Sequence, residues 1–212
     1  MKGINFSEQM FHATIEGRKT MFRRIMKVQP LTESENWKLS TLACTTDNEA
    51  KKHKGKYHWS YIVNCQYSDY YDDRYFISRY RVWDQVYMKE PYFAFYGTEK
   101  VKYKYGIHYE DASDLIWKNP LFMPEKYARY YIEITSVRCE RVQDISDEDC
   151  LKEGVRYFAG KFLNFVTYTS TNDYFEFKTP QEAYADLFDK INGKGAWESN
   201  PYVWVYSYQL VK

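Results

Sequence analysis

From Gly17 to Arg24 the chain reads Gly-Arg-Lys-Thr-Met-Phe-Arg-Arg, four positive charges in eight residues. Alternation from Lys19 to Met26 predicts an extended strand with Lys19 and Arg23 on one face and Thr20 and Arg24 on the other. Cations on both faces of one strand suit an anionic or polar ligand, and this stretch is the expected floor of a ligand site. A purely local reading competes with it. Cations just past a helix C-terminus are favoured by the macrodipole by about 0.3–1 kcal/mol each and need no ligand to explain them.

The element that delivers this cluster is a short amphipathic helix. Ser7 caps it, Glu8 lies in its first turn, Met10, Phe11, Thr14 and Ile15 form its apolar face, and Gly17 ends it in a left-handed conformation. A second capped helix lies far downstream. Ser146 caps it, Asp149 takes the reciprocal position of a shortened capping box, Ile145 staples onto Cys150, and Gly154 ends it. Glu153 then falls in the last turn, where the negative end of the dipole disfavours a carboxylate. Such a placement points to a functional or tertiary partner.

Between and beyond these helices the pattern is mostly extended. Trp37 to Thr45 and Tyr57 to Cys65 read as a hairpin whose long tip, Lys51 to Lys56, is a solvated basic loop, with phosphate contact as the alternative; Tyr67 to Arg74 reads as an acidic, aromatic turn. A strand entered at Asp84 closes at Pro91. It is followed by a hairpin, Tyr92 to Tyr105, turning at Gly97 to Lys100. Tyr131 to Val137 is a further strand, Phe162 to Thr169 and Tyr174 to Phe177 a further hairpin. Thr179-Pro180-Gln181-Glu182 opens a helix with Ala183, Tyr184, Leu187, Phe188 and Ile191 on one face, read as scaffold, and Tyr202 to Leu210 is the last strand.

At 212 residues with no Gly/Ser- or Pro-rich linker, the chain reads as one domain with insertions. Aromatic residues make up 20% of it, including 23 Tyr, while mean hydropathy is −0.71. Much ring area must therefore sit at a surface or in a half-wet cavity, either stacking bases or lying on half-buried strands. A formal net charge of +1 excludes the bulk electrostatics of a duplex-coating protein, so any nucleic-acid contact is a local patch. Cys44, Cys65, Cys139 and Cys150 show no Cys-x-x-Cys spacing and no His at ligand spacing, which argues against zinc and reads as reduced, buried thiols. The N-terminal residues lack the apolar core of a signal peptide and no apolar run approaches the ~18–20 residues of a spanning helix, so a cytoplasmic protein with no membrane, metal or cofactor is expected.

Four motifs, in order, resemble phage-type ASCH domains of the PUA-like superfamily. They are the opening Ile4 to Pro30 with its Gly-Arg-Lys-Thr, the strand ending in Lys89-Glu90, the Met123-Pro124 to Ala128-Arg129 lead-in, and Asn200-Pro201-Tyr202-Val203-Trp204-Val205. About residues 31–75 and 92–118 have no counterpart and are taken as insertions. The resemblance implies an α+β fold: a mixed β-barrel of five to seven strands with a few peripheral helices, β-hairpin insertions and a site at the barrel rim. Trp83 stands where the family has Gly, and a turn needing positive φ there would strain it. The resemblance also carries site roles onto Lys19 and Glu153, predicted to approach within about 4 Å, and onto Glu90 and Arg129, beside Arg18, Thr20, Arg23 and Arg24.

The function implied is binding of RNA or a nucleotide in a basic, aromatic rim cleft. A second reading is an amidohydrolase acting on an acylated nucleoside, with Lys as base or oxyanion stabiliser, Thr as nucleophile and Glu orienting the Lys. Phe22 occupies the position of that Thr and has no hydroxyl; Thr20 replaces it only in another strand register. A third is an accessory interaction protein without a small ligand. The ligand's identity and the oligomeric state are left open by the sequence.

Overall fold

The structure is a computed structural model describing residues 1–27, 29, 56–65, 68–98, 100–105, 115–158, 161–163 and 177–211, with the backbone alone for 56–65, 68–77, 158 and 163. Its elements in chain order are β1 (Lys2–Asn5), α1 (Glu8–Ile15), β2 (Met21–Ile25), β3 (Lys56–Cys65), β4 (Ser68–Ile77), β5 (Gln85–Lys89), β6 (Tyr92–Ala94), β7 (Val101–Tyr103), β8 (Tyr131–Arg141), α2 (Asp147–Lys152), β9 (Arg156–Phe158), β10 (Lys161–Leu163), α3 (Pro180–Asn192) and β11 (Tyr202–Leu210), with short 3-10 turns at Pro120–Phe122, Glu125–Tyr127 and Val142–Asp144. The fold is α+β. A mixed five-stranded sheet in the order β1-β5-β8-β11-β2 is its centre.

Only β1 and β5 are parallel; β5-β8, β8-β11 and β11-β2 are antiparallel. The long β8–β11 pairing shifts register between Ser207 and Tyr208. A bulge of this kind sharpens the local twist. Among the described residues no strand pairing joins the edges β1 and β2. Side chains bridge them instead. The Phe6 ring, just past β1, meets Phe22 of β2 edge-on at 5.9 Å. Tyr80 donates from its hydroxyl to the Gly3 carbonyl while its ring lies 6.0 Å from Phe22. The core runs through this seam: Phe6, Phe11, Phe22, Tyr80, Ile132, Ile134, Tyr206 and Tyr208 belong to one buried cluster with Leu187 and Phe188 of α3.

Several expectations change in the folded chain. The Tyr57 to Cys65 segment is paired, but with β4, Lys56 opposite Ile77 through Cys65 opposite Ser68. From Ser68 on, the stretch read as an acidic turn is thus a strand, because its Tyr-rich run has the β-propensity to pair. Trp37 to Thr45 and the tip Lys51 to Gly55 lie outside the described residues, as do residues 164–176 of the later hairpin. Phe162 and Phe177 exchange backbone hydrogen bonds at 3.0 Å. Trp83 does take a positive φ of 71°, in a turn that overdetermines it. The Asp84 amide donates to the Arg81 carbonyl at 3.0 Å, the Asp84 carboxylate accepts from the Arg81 amide at 2.9 Å, and Trp83 and Asp84 bond the backbone of Ile134.

Candidate functional site

Sequence and capping place Lys19. Ser7 caps α1, accepting from the Met10 amide at 3.4 Å, and Gly17 turns with φ 72°. The amides of Arg18 and Lys19 then both return to the Ala13 carbonyl at 2.8 and 3.0 Å. Tyr208 of β11 fixes the turn from the other side: its hydroxyl donates to the Lys19 carbonyl at 2.8 Å and lies 2.9 Å from the Thr14 hydroxyl. The chain therefore enters β2 with the Lys19 side chain directed inward.

Lys19 is 2% exposed and Glu153, the C-cap of α2, is 3% exposed. Their side chains meet at 2.7 Å. The ammonium donates to the Glu153 carboxylate at 2.7 Å, to the Glu153 carbonyl at 2.7 Å and to the Met21 carbonyl at 2.8 Å. An ammonium has three protons, so Lys19 has no donor left over. Burial lowers its pKa against the opposing pull of Glu153, and the neighbouring Arg24 and Arg23 charges add to that lowering. The carboxylate in the disfavoured last turn of α2 has the tertiary partner that its position called for.

Arg23, on the same face as Lys19, continues the network. It donates to Glu153 at 3.0 Å, to Glu140 of β8 at 2.7 Å and to Asp149 of α2 at 3.1 Å. Arg138 binds both Glu140, at 2.9 Å, and Asp149, while Lys152 reaches Asp149 at 3.3 Å. Burial disfavours the Arg23 charge, but Glu153, Tyr184 and Glu140 outweigh it and raise its pKa. The shortened capping box is corrected here: Ser146 does accept from the Asp149 amide, but the Asp149 carboxylate faces Arg23 and Arg138 instead of completing the cap. Glu140, Arg138 and Asp149 are partners that no local pattern announces, since they join only when β8, α2 and β2 pack.

Above this floor opens a cleft of about 330 Å³ lined by Phe6, Lys19, Phe22, Arg23, Arg24, Glu153 and by residues of α3. That helix is more than scaffold. Its Tyr184, Leu187, Phe188, Lys190, Ile191 and Asn192 form one wall, because Ile191, on the apolar stripe, falls at the cleft mouth rather than in the core. Tyr184 is 3% exposed and its ring stands 5.7 Å from the Arg23 guanidinium. Burial, reinforced by Glu153, raises its pKa well above that of an ordinary tyrosine, so it stays a neutral donor and acceptor. Asn5, which is exposed, also lines the cleft. Arg24 is exposed, lines the cleft and rests 5.9 Å from the Phe22 ring.

The remaining expected site residues lie elsewhere. Arg18 pairs with Glu16 at 2.5 Å, and Thr20 is tied through its backbone to Lys152 and Tyr208; neither lines the cleft. Glu90 and Arg129 form their own bidentate pair at 2.9 and 2.6 Å, away from the cleft lining. Glu90 is 0% exposed, and burial raises its carboxyl pKa against the pull of Arg129. Arg129 also stacks 4.2 Å from Tyr103 and 5.3 Å from Tyr130 and binds the Tyr105 carbonyl. Its fork braces β5 against the strand-entry loops. Phe22, in place of a hydroxyl residue, stacks on Tyr206 at 4.8 Å and closes the cleft base. Burial pushes the Cys150 thiol up to about 12, leaving it an inert core group.

Among the described residues no group of three His, Cys, Asp or Glu could hold a metal ion, and no helix is long and apolar enough to cross a membrane. The chain matches no family model, and no curated protein or solved structure is similar to it at a significant level.

Proposed function

We propose that the chain is a binding domain whose cleft takes a nucleotide, free or at an RNA end, and that it performs no amide hydrolysis there. One observation carries the reading: the charged floor is saturated from within, while Arg24 at the rim is exposed and has no carboxylate partner among the described residues. Lys19 has spent its three protons, Arg23 bridges three carboxylates, and Phe22 supplies no nucleophile. A covalent route needs an activated nucleophile, and the floor supplies none: the Lys19 ammonium is fully hydrogen-bonded, the Glu153 carboxylate is held between Lys19 and Arg23, and Phe22 has no hydroxyl. The cleft lining includes Tyr184, Asn5, the exposed Arg24 and the largely buried Phe6 and Phe22. Amide and hydroxyl groups suit a base edge, rings its face, and a guanidinium the phosphate.

The ordered motifs support an ASCH-like reading of the chain outside about residues 31–75 and 92–118. So does the sheet, whose edges β1 and β2 approach through Phe6 and Phe22, the arrangement a PUA-like barrel would need. The test is calorimetric titration of the purified chain with nucleoside monophosphates, alongside incubation with N4-acetylcytidine. Weak binding that falls about tenfold in Arg24→Gln, as expected on removing one charged hydrogen bond, with no deacetylation, is the expected result. Turnover of the acetylated nucleoside overturns it.

A further inference from the structure

The cations of this protein divide into two kinds. Those of the cleft floor are neutralised by carboxylates. Arg24, Arg79 and Arg81 are exposed, and among the described residues no carboxylate pairs with any of them. Arg24 and Arg79 are linked through two packed rings, and Arg81 follows Arg79 by two residues. Arg24 rests 5.9 Å from the Phe22 ring, Phe22 lies 6.0 Å from Tyr80, and the Arg79 guanidinium stands 5.4 Å from Tyr80. Burial raises the Tyr80 hydroxyl pKa, and Arg79 and then Arg24 are the charges that oppose it. Lys2 closes the group, donating to the Arg79 carbonyl at 2.5 Å and lying 5.9 Å from Tyr80. The nearby carboxylate, Asp84, accepts from Lys2 at 3.5 Å and from the Arg81 amide.

Two residues after Arg81, in the same turn, is Trp83, 73% exposed at φ 71°. A large apolar ring lifted out of the core beside unpaired guanidinium groups combines a stacking face with phosphate contacts. A duplex hides its base faces and would want a broader basic surface than a chain of net charge +1 supplies.

We propose that Arg24, Arg79, Arg81 and Trp83 form a track for single-stranded RNA leading out of the cleft, with the arginines on successive phosphates and Trp83 stacked on a flanking base. The track deepens the cleft reading and rests on it: the cleft takes the terminal nucleotide and the track takes its neighbours.

The experiment compares cytidine monophosphate with a mixed-sequence octaribonucleotide by calorimetry, using the full chain, an Arg79→Gln/Arg81→Gln variant and Trp83→Ala. All three altered side chains are exposed, so folding is not at stake. The octamer is expected to bind about tenfold or more tighter than the mononucleotide, the gain from one stacked base and added phosphates. Trp83→Ala should remove about tenfold of octamer affinity. The double variant should shallow the salt dependence by about 0.7 in log–log slope for each phosphate that an arginine no longer neutralises. Mononucleotide affinity should be unchanged in both variants. An octamer no tighter than the mononucleotide overturns the track and leaves the cleft reading standing. Octamer binding that responds to these variants without mononucleotide binding upholds the track and removes the cleft reading. No binding of either removes both. Equal affinity for polyglutamate of the same charge overturns the assignment to RNA.

Discussion

A carboxylate in this protein is defined by what surrounds it, and Asp149 shows this most sharply. Burial works against its ionisation, but the Arg138 charge and hydrogen bond, then Arg23 and Lys152, outweigh that and hold its carboxyl below the ordinary value. A lowered folded pKa means that the unfolded chain binds the proton first as pH falls. The stability that Asp149 contributes is therefore complete above about pH 3.9, the unfolded value, and is lost as pH drops through the lowered folded value. Asp149→Asn should lose about 1–3 kcal/mol at neutral pH, as expected for breaking charged hydrogen bonds, and its stability should fall less steeply in acid than that of the unaltered chain. Urea unfolding over a pH series measures both, and parallel acid limbs would contradict this account of the cluster.

At the scale of the element, α1 and α3 follow their sequences closely, and the turn before β5 does not. The Thr179–Glu182 capping box forms in both directions and Pro180 takes the first turn, so α3 begins where its residues say. Trp83 instead occupies a conformation that an L residue with a bulky side chain adopts at a cost, held there by hydrogen bonds from Arg81, Asp84 and Ile134. Its ring is exposed, so removing it forfeits little burial. Trp83→Gly should raise stability by roughly 0.5–1 kcal/mol, the relief of left-handed strain less the added backbone entropy of glycine. Trp83→Ala should bring no such gain, since alanine keeps the Cβ that causes the strain. Chemical denaturation of the two variants separates backbone strain from loss of the ring.

Across the whole molecule, the residues singled out for chemistry form two separate charge clusters. Lys19, Arg23 and Glu153 underlie the cleft, whereas Glu90 and Arg129 pair at the end of β5 and the entry to β8, outside the cleft lining. Arg129→Met leaves Glu90 fully buried without its cation, which should cost about 3–5 kcal/mol. Because burial already raises the Glu90 carboxyl, removing Arg129 raises it further, and a raised carboxyl stabilises the folded state as pH falls. The deficit should therefore be smaller near pH 5 than near pH 8, about the range over which such a buried carboxyl takes up its proton. Where the variant is folded, nucleotide affinity of the cleft should match that of the unaltered chain. A loss of affinity in the folded variant would return Arg129 to the binding site.

Local patterns in the sequence were enough to place the helix caps at Ser7, Ser146 and Thr179, the strands at Met21–Ile25, Gln85–Lys89 and Tyr202–Leu210, and the anomaly of a carboxylate at a helix C-terminus. These depend on backbone groups a few residues apart, and short-range chemistry is written in short-range sequence. The partners of that carboxylate, the saturation of Lys19, the separation of Glu90 and Arg129 from the cleft, and the role of α3 as a cleft wall depend on which strands become neighbours. The sheet order β1-β5-β8-β11-β2 sets the two N-terminal strands at opposite edges and brings Arg23 against Glu140, 117 residues away. Such pairings are chosen by the burial of a shared apolar core and by the exclusion of water from charges, which no single stretch of chain contains.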